Sequence, residues 1–204
     1  MSNADSVDVT IYGKGGHGSA PELTIDPIVI AARTILSWQT IISREKSAQD
    51  LGVITVGTIH SGTKNNIIPD EVKLQLTVRS YKDEVRQHLL AAIERIAEGE
   101  AAAAGAEKKP TVTWVEGVSA VYNDPATTQR LVNALESALG EENVVQGIPI
   151  MASDDFAEYG RAGVPSVMLS LARSIPQSSK RPRTAAKSCR ARILRCLLPT
   201  KSPA

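Results

Sequence analysis

The chain has 204 residues, which suits one ordinary domain or one and a half, and 42% of them are hydrophobic, enough for a packed core. Aromatics make up only 3%, with a single Phe, which argues against a stacking platform for single-stranded nucleic acid, and no apolar run reaches the roughly 18 residues of a membrane span. The net charge of +1 conceals two unlike parts: residues 1–171 sum to −8, whereas residues 172–204 carry nine basic residues, no acid and a net of +9. Both cysteines, Cys189 and Cys196, lie in the basic part, so no disulfide framework is expected and a reducing compartment is favoured.

Met1-Ser2-Asn3-Ala4 resembles a tag scar, and residues 1–6 are read as such a scar or a leader. Val7, Val9 and Ile11 alternate with polar residues as in a half-buried strand over 7–12. A glycine-rich loop, Gly13-Lys14-Gly15-Gly16-His17-Gly18, follows it. Asp26-Pro27 then supplies an N-cap and a proline at the first helical position. Apolar residues from Ile28 to Ile42 at helical spacing predict a helix from about Pro27 to Arg44. A strand is expected near Leu51–His60, then a loop over 61–70. Val72, Leu74, Leu76 and Val78 face one way on the next strand, and Lys73, Gln75, Thr77 and Arg79 the other. Ser80 and Asp83 read as a capping box that opens a helix through Val85, Leu89, Ile93 and Ile96, stopping near Gly105. A fourth strand is expected at Thr111–Val115.

This strand–helix–strand–strand–helix–strand order predicts an α+β, ferredoxin-like βαββαβ domain, a four-stranded antiparallel sheet with two helices on one face. The face bearing Lys73, Gln75 and Arg79 is left open. Beyond Asn123 the pattern changes. Asp124-Pro125 caps a helix carrying Leu131, Leu135 and Leu139, a short helix falls at 154–161, and Pro165–Leu171 reads as a strand buried on both faces. That strand needs a parallel sheet which the chain cannot complete, so an incomplete α/β segment is expected here. Residues 172–204 have no usable periodicity and read as a disordered or out-of-frame basic tail.

Gly13-x-Gly15-x-x-Gly18 formally matches a dinucleotide fingerprint, but Pro21 intervenes and the helix begins only near Pro27, too late to meet a pyrophosphate. The same loop suits the presentation of His17, an imidazole able to donate to a developing oxyanion. Arg79 ends a strand on the open face, where its fork could hold a carboxylate. Asn66, beside Ile67-Ile68-Pro69, suits either a turn or a ligand contact. His60 and His88 read as structural.

Taken in order, Gly15-Gly16-His17-Gly18-Ser19-Ala20-Pro21, Asp26-Pro27, Asn66-Ile67-Ile68-Pro69-Asp70 and Val78-Arg79 resemble the metal-dependent aminoacylase and carboxypeptidase family, in particular its hippurate-hydrolase and auxin-conjugate amidohydrolase branch. Ser153-Asp154-Asp155-Phe156 is similar to a later Ser-Glu-Asp-Phe segment of that family, with Asp154 replacing Glu. The resemblance implies a lid, or dimerisation, domain over residues 7–118 and a C-terminal fragment of the catalytic domain over 119–171. It implies hydrolysis of N-acyl amino acids or small peptides by a homodimer joined through its lids, with a pair of divalent metal ions, zinc or manganese, in the catalytic domain. His17 would polarise the scissile carbonyl in the partner's site, and Asn66 and Arg79 would hold the substrate. No residue of this chain is assigned to metal, because His17, His60 and His88 are not spaced as ligands, so the chain alone is expected to be inactive. Cytoplasmic location is the default, with no membrane or nucleic-acid partner. The alternative is a non-enzymatic ferredoxin-like dimerisation module with a nucleic-acid-binding tail.

Overall fold

The computed structural model describes residues 1–173 and 189–193. In chain order these form β1 (Asn3–Tyr12), β2 (Gly16–His17), α1 (Pro27–Thr40), β3 (Gly52–Ser61), β4 (Ile67–Ile68), β5 (Glu71–Ser80), α2 (Asp83–Ala103), β6 (Thr111–Val118), α3 (Pro125–Leu139), β7 (Val144–Gln146), α4 (Ala157–Arg161), β8 (Leu169–Arg173) and β9 (Cys189–Ile193). They divide into two compact units, one of Ser2–Ala120 with Met151–Ser153, the other of Val121–Ile150 and the described residues from Asp154 onward, with Met1.

The first unit is built on a sheet ordered β3-β5-β1-β6, antiparallel throughout, as the βαββαβ reading requires. Val7, Val9 and Ile11 of β1 and Val72, Leu74, Leu76 and Val78 of β5 are buried on one face, against Ile30, Trp38, Leu89 and Ile93 from the two helices. Trp38 fills the largest buried position, and its indole N–H donates to the Ile93 carbonyl of α2 at 3.0 Å, so the ring is buried with its one polar group satisfied. Asp26 caps α1 by accepting the Ile28 N–H at 2.8 Å, and Pro27 takes the first helical position. A single π-helical turn over Ile41–Glu45 extends the helix to the length expected. α2 ends as expected, with Gly105 adopting φ +74. The opposite sheet face carries exposed Lys73 and Gln75; Thr58 and Gln75 are joined at 3.1 Å, and Gln75 Nε2 donates to Asp8 at 3.2 Å.

Two local expectations in the first unit need correction. β1 starts at Asn3, not near Val7, because its early polar residues are buried with partners. Asn3 Nδ2 donates to Ser80 Oγ at 3.1 Å, and Asn3 Oδ1 accepts the Ala120 N–H at 2.7 Å. Asp5 accepts from Arg86 Nη2 at 2.5 Å and Nε at 2.9 Å. Ser80 does not cap α2: it ends β5 facing Asn3, the N-cap is Lys82, and no side chain among the described residues caps that end.

In the second unit Asp124 caps α3, its Oδ1 accepting the Thr127 N–H at 2.8 Å, and Gly140 ends the helix with φ +88. Asn123 pins the segment before β8, donating to the Met168 carbonyl and accepting its N–H, each at 2.9 Å. The strand expected over 165–171 begins only at Leu169 and is not doubly buried: Leu171 is 62% exposed. Its sheet is ordered β7-β9-β8, with β9 parallel to β7 and antiparallel to β8. Of the stretch expected as a basic tail, residues 172–173 lie in β8 and 189–193 form β9; the rest lies outside the described residues.

Candidate functional site

The glycine loop and the 66–70 segment, far apart in sequence, are stitched into one two-stranded ribbon at the end of the first unit where β1 stops and β5 starts. β2 pairs antiparallel with β4, setting Gly16 opposite Ile68 and His17 opposite Ile67. The Gly18 N–H donates to the Asn66 carbonyl at 2.8 Å, the Gly15 N–H to Asp70 Oδ1 at 2.8 Å and the Gly13 N–H to the Asp70 carbonyl at 2.8 Å. Lys14 and Ile25 exchange backbone bonds of 2.8 and 3.0 Å, closing the base of the loop. Close approach is what the glycines permit. A Cβ at Gly15 would stand 2.7 Å from the Ile68 carbonyl oxygen and 2.8 Å from Asp70 Oδ1, and one at Gly13 only 2.2 Å from the Ile25 oxygen.

His17 is exposed on this ribbon. Its Nδ1 lies 2.7 Å from Ser19 Oγ and accepts the Ser19 backbone N–H at 3.2 Å. Nε2 has no hydrogen-bond partner among the described residues. Asn66, also exposed, sits beside it, with its backbone engaged by Gly18 and its side-chain amide making no hydrogen bond among the described residues. Tyr12 ends β1 just before the loop. Its phenol is lowered from the ordinary tyrosine value by hydrogen bonding to Thr111 and Lys108, the Lys108 ammonium lying 3.3 Å from the ring centroid.

Arg79 is not part of this cluster. It lies near the far end of β5, opposite Ala4 and Val53, about 30 Å along the strand from Asp70. Nε donates to Thr77 Oγ1 at 3.2 Å, and Nη1 donates to the Met151 carbonyl at 3.2 Å and to Ser153 Oγ at 2.9 Å. Ser2 holds the same segment, its N–H reaching the Ala152 carbonyl at 2.8 Å. With Nε and Nη1 engaged, only Nη2 is left to a ligand, so bidentate capture of a carboxylate requires one of these bonds to exchange. Thus His17 and Asn66 come together and Arg79 stands apart. Ser19, Asp70 and Ser153, which orient these groups, carry no signal of that role in the sequence.

Among the described residues, no three of His, Cys, Asp and Glu come together to hold a metal ion. His60 faces Lys73 on the edge strand, and His88 Nε2 lies 3.8 Å from the Glu45 carboxylate. No helix among the described residues is long and apolar enough to cross a membrane.

Comparison with known proteins agrees with this architecture. Residues 2–104 match the M20 peptidase dimerisation domain. An uncharacterised hydrolase of Sinorhizobium fredii is 38% identical over 81% of this chain and 40% of its own length. A hippurate hydrolase of Campylobacter jejuni is 36% identical over 78% of this chain and 41% of its own. Among solved structures, a Bacillus subtilis protein described as a dinuclear metal binding peptidase of the M20 family superposes with a TM-score of 0.61 and 27% identity, covering 81% of this chain and 39% of that one. The chain therefore spans about two fifths of the length of the curated relatives it matches.

Proposed function

We infer the function of this chain from its family, for it belongs to the M20 peptidase dimerisation-domain family. We propose that it is part of a metal-dependent amidohydrolase that cleaves the amide bond of N-acyl amino acids or small peptides. Residues 7–118 act as its lid and dimerisation domain, and residues 119–171 belong to the C-terminal part of its catalytic domain. Relatives described as hydrolases support an enzyme over a stand-alone interaction module with a nucleic-acid-binding tail.

The observation that carries the proposal is the separation of the candidate residues. His17 and Asn66 occupy one end of the lid sheet and Arg79 the other, a span of about 30 Å that no small N-acyl amino acid bridges. One protomer therefore cannot apply both ends to one substrate, whereas a two-fold dimer can. Arg79 serves the site of its own protomer, holding the substrate carboxylate, while His17 and Asn66 reach the partner's site. There the Nε2–H of His17 donates to the scissile carbonyl oxygen as negative charge builds on it, and Asn66 holds the substrate beside it. The dimer forms through edge strand β3, whose outer backbone groups have no strand partner among the described residues and whose Ile59 is 57% exposed.

The parent enzyme uses a pair of divalent metal ions, zinc or manganese, but the described residues do not fit that pair, and this chain alone is catalytically inert. The exposure of Leu171 on β8 is in keeping with a sheet continued by sequence from the rest of the catalytic domain. A cytoplasmic location is the default reading and is checked by cell fractionation. The test of the central role is His17→Ala in the full-length enzyme: kcat is expected to fall about 10²–10³-fold, and a near-normal rate would remove His17 from catalysis.

A further inference from the structure

We propose that Ser19 is a positioning residue that fixes which nitrogen of His17 carries the proton. The inference rests on the oxyanion role proposed for His17, since only a ring protonated on its outward nitrogen can donate there.

The argument is one of donor and acceptor chemistry. A neutral imidazole has one N–H and one lone-pair nitrogen, and its neighbours decide which is which. A backbone amide can only donate. The Ser19 N–H directed at Nδ1 over 3.2 Å therefore requires Nδ1 to be the acceptor. The Ser19 hydroxyl, 2.7 Å from the same atom, is then cast as a second donor. Both groups hold the ring proton on Nε2, the nitrogen with no partner among the described residues. The turn that allows this is short: the Ala20 N–H donates to the His17 carbonyl at 2.9 Å, folding Ser19 back over the ring. Without the hydroxyl, Nδ1 keeps only the longer amide contact, and the tautomer with the proton on Nδ1 gains population. In that form the outward nitrogen is a lone pair, which repels a developing oxyanion.

The test begins on the present chain, with histidine labelled in both ring nitrogens and long-range nitrogen–proton correlation spectra recorded in mildly alkaline solution, where imidazoles are neutral. His17 is expected to report the Nε2–H tautomer almost alone. Ser19→Ala is expected to raise the Nδ1–H population by about three- to tenfold, and Ser19→Thr to restore the starting pattern. Ser19 is exposed, so neither change threatens the fold. In the full-length enzyme Ser19→Ala should lower kcat in proportion to the Nε2–H population lost, by up to about twofold at unchanged KM, with recovery in Ser19→Thr. A mixed or Nδ1–H pattern in the unaltered chain, or spectra indifferent to Ser19→Ala, would overturn the inference. The spectra need no turnover, so a correct tautomer pattern beside an active His17→Ala enzyme would sink the oxyanion role and leave the role of Ser19 in fixing the tautomer standing.

Discussion

Arg86→Ala offers a quantitative test of how the lid is held together. The Asp5 side chain is 5% exposed, and Arg86 binds both of its oxygens, with Nη2 at 2.5 Å and Nε at 2.9 and 3.2 Å. Hydrogen bonding to Asp5 raises the guanidinium above its ordinary pKa despite partial desolvation. Gly117 of β6 passes so close that a Cβ there would lie 2.6 Å from both Arg86 Nη2 and Asp5 Oδ1. Truncating one member of a buried pair costs about 3–5 kcal/mol, chiefly because the other charge is stranded. The Arg86 side chain is 24% exposed, so water reaches part of the pair and the expected loss drops to about 2–4 kcal/mol. For a unit of this size that is a fall in Tm of about 10 °C. Urea and thermal unfolding of the chain would measure it, beside a double variant, Asp5→Leu with Arg86→Met, that removes both charges and retains volume. The double variant is expected to recover at least half of the loss. An Arg86→Ala protein within about 0.5 kcal/mol of the original, or a double variant no better than the single one, would refute the reasoning.

Gly15→Ala should break the ribbon that carries His17, because the added Cβ meets the Ile68 and Asp70 oxygens; kcat of the full-length enzyme should fall about tenfold or more, and an unchanged rate would contradict the positioning described. Ile59→Asp on edge strand β3 is expected to weaken dimerisation about 10²-fold or more by sedimentation velocity without altering the circular dichroism of the chain. Asp124, held below the ordinary carboxylate value by its bonds from Thr127, stabilises α3 above the unfolded-state pKa of its carboxyl and loses that contribution as pH falls through the lowered folded value. α3 should therefore fray in acid by amide exchange, and Asp124→Asn, which still caps but cannot titrate, should lack that acid transition.

The lid was readable because its signals are local. Alternation in β5, the Asp26-Pro27 start of α1 and the Gly105 stop of α2 each follow from neighbours within a turn or a strand. What escaped reading was polar burial. Asn3 and Asp5 look like solvent-facing residues until Ser80, Ala120 and Arg86, all distant in sequence, are seen to satisfy them. The same contact explains why Ser80, adjacent to a helix start, stays in the sheet. The segment at 165–171 misled for the opposite reason: a run of apolar residues signals double burial only when neighbouring strands exist to provide it, and Leu171 stands exposed.

The residues alone singled out His17 on its glycine loop and Arg79 at its strand end, but only the family likeness joined them with Asn66 into one candidate site. Its chemistry depends on a ribbon of two two-residue strands, too short for any periodicity, that joins His17 to Ile67. Arg79 was correctly placed at a strand end on the open face, but nothing local reveals that this end lies opposite the histidine, or that Ser153 and Met151 take two of its donors. Strand length turns a list of motif residues into a geometric statement about which of them can share a substrate.

That statement is tested most directly by mixing subunits of the full-length enzyme. His17→Ala and Arg79→Ala homodimers should each be nearly inactive. After exchange at equal amounts, half of the dimers are mixed and one of the two sites in each regains an intact Arg79 and a partner's intact His17, so activity should return to about a quarter of the unaltered level. No recovery, under conditions where labelled subunits are seen to exchange, would mean that His17 and Arg79 do not come from different protomers.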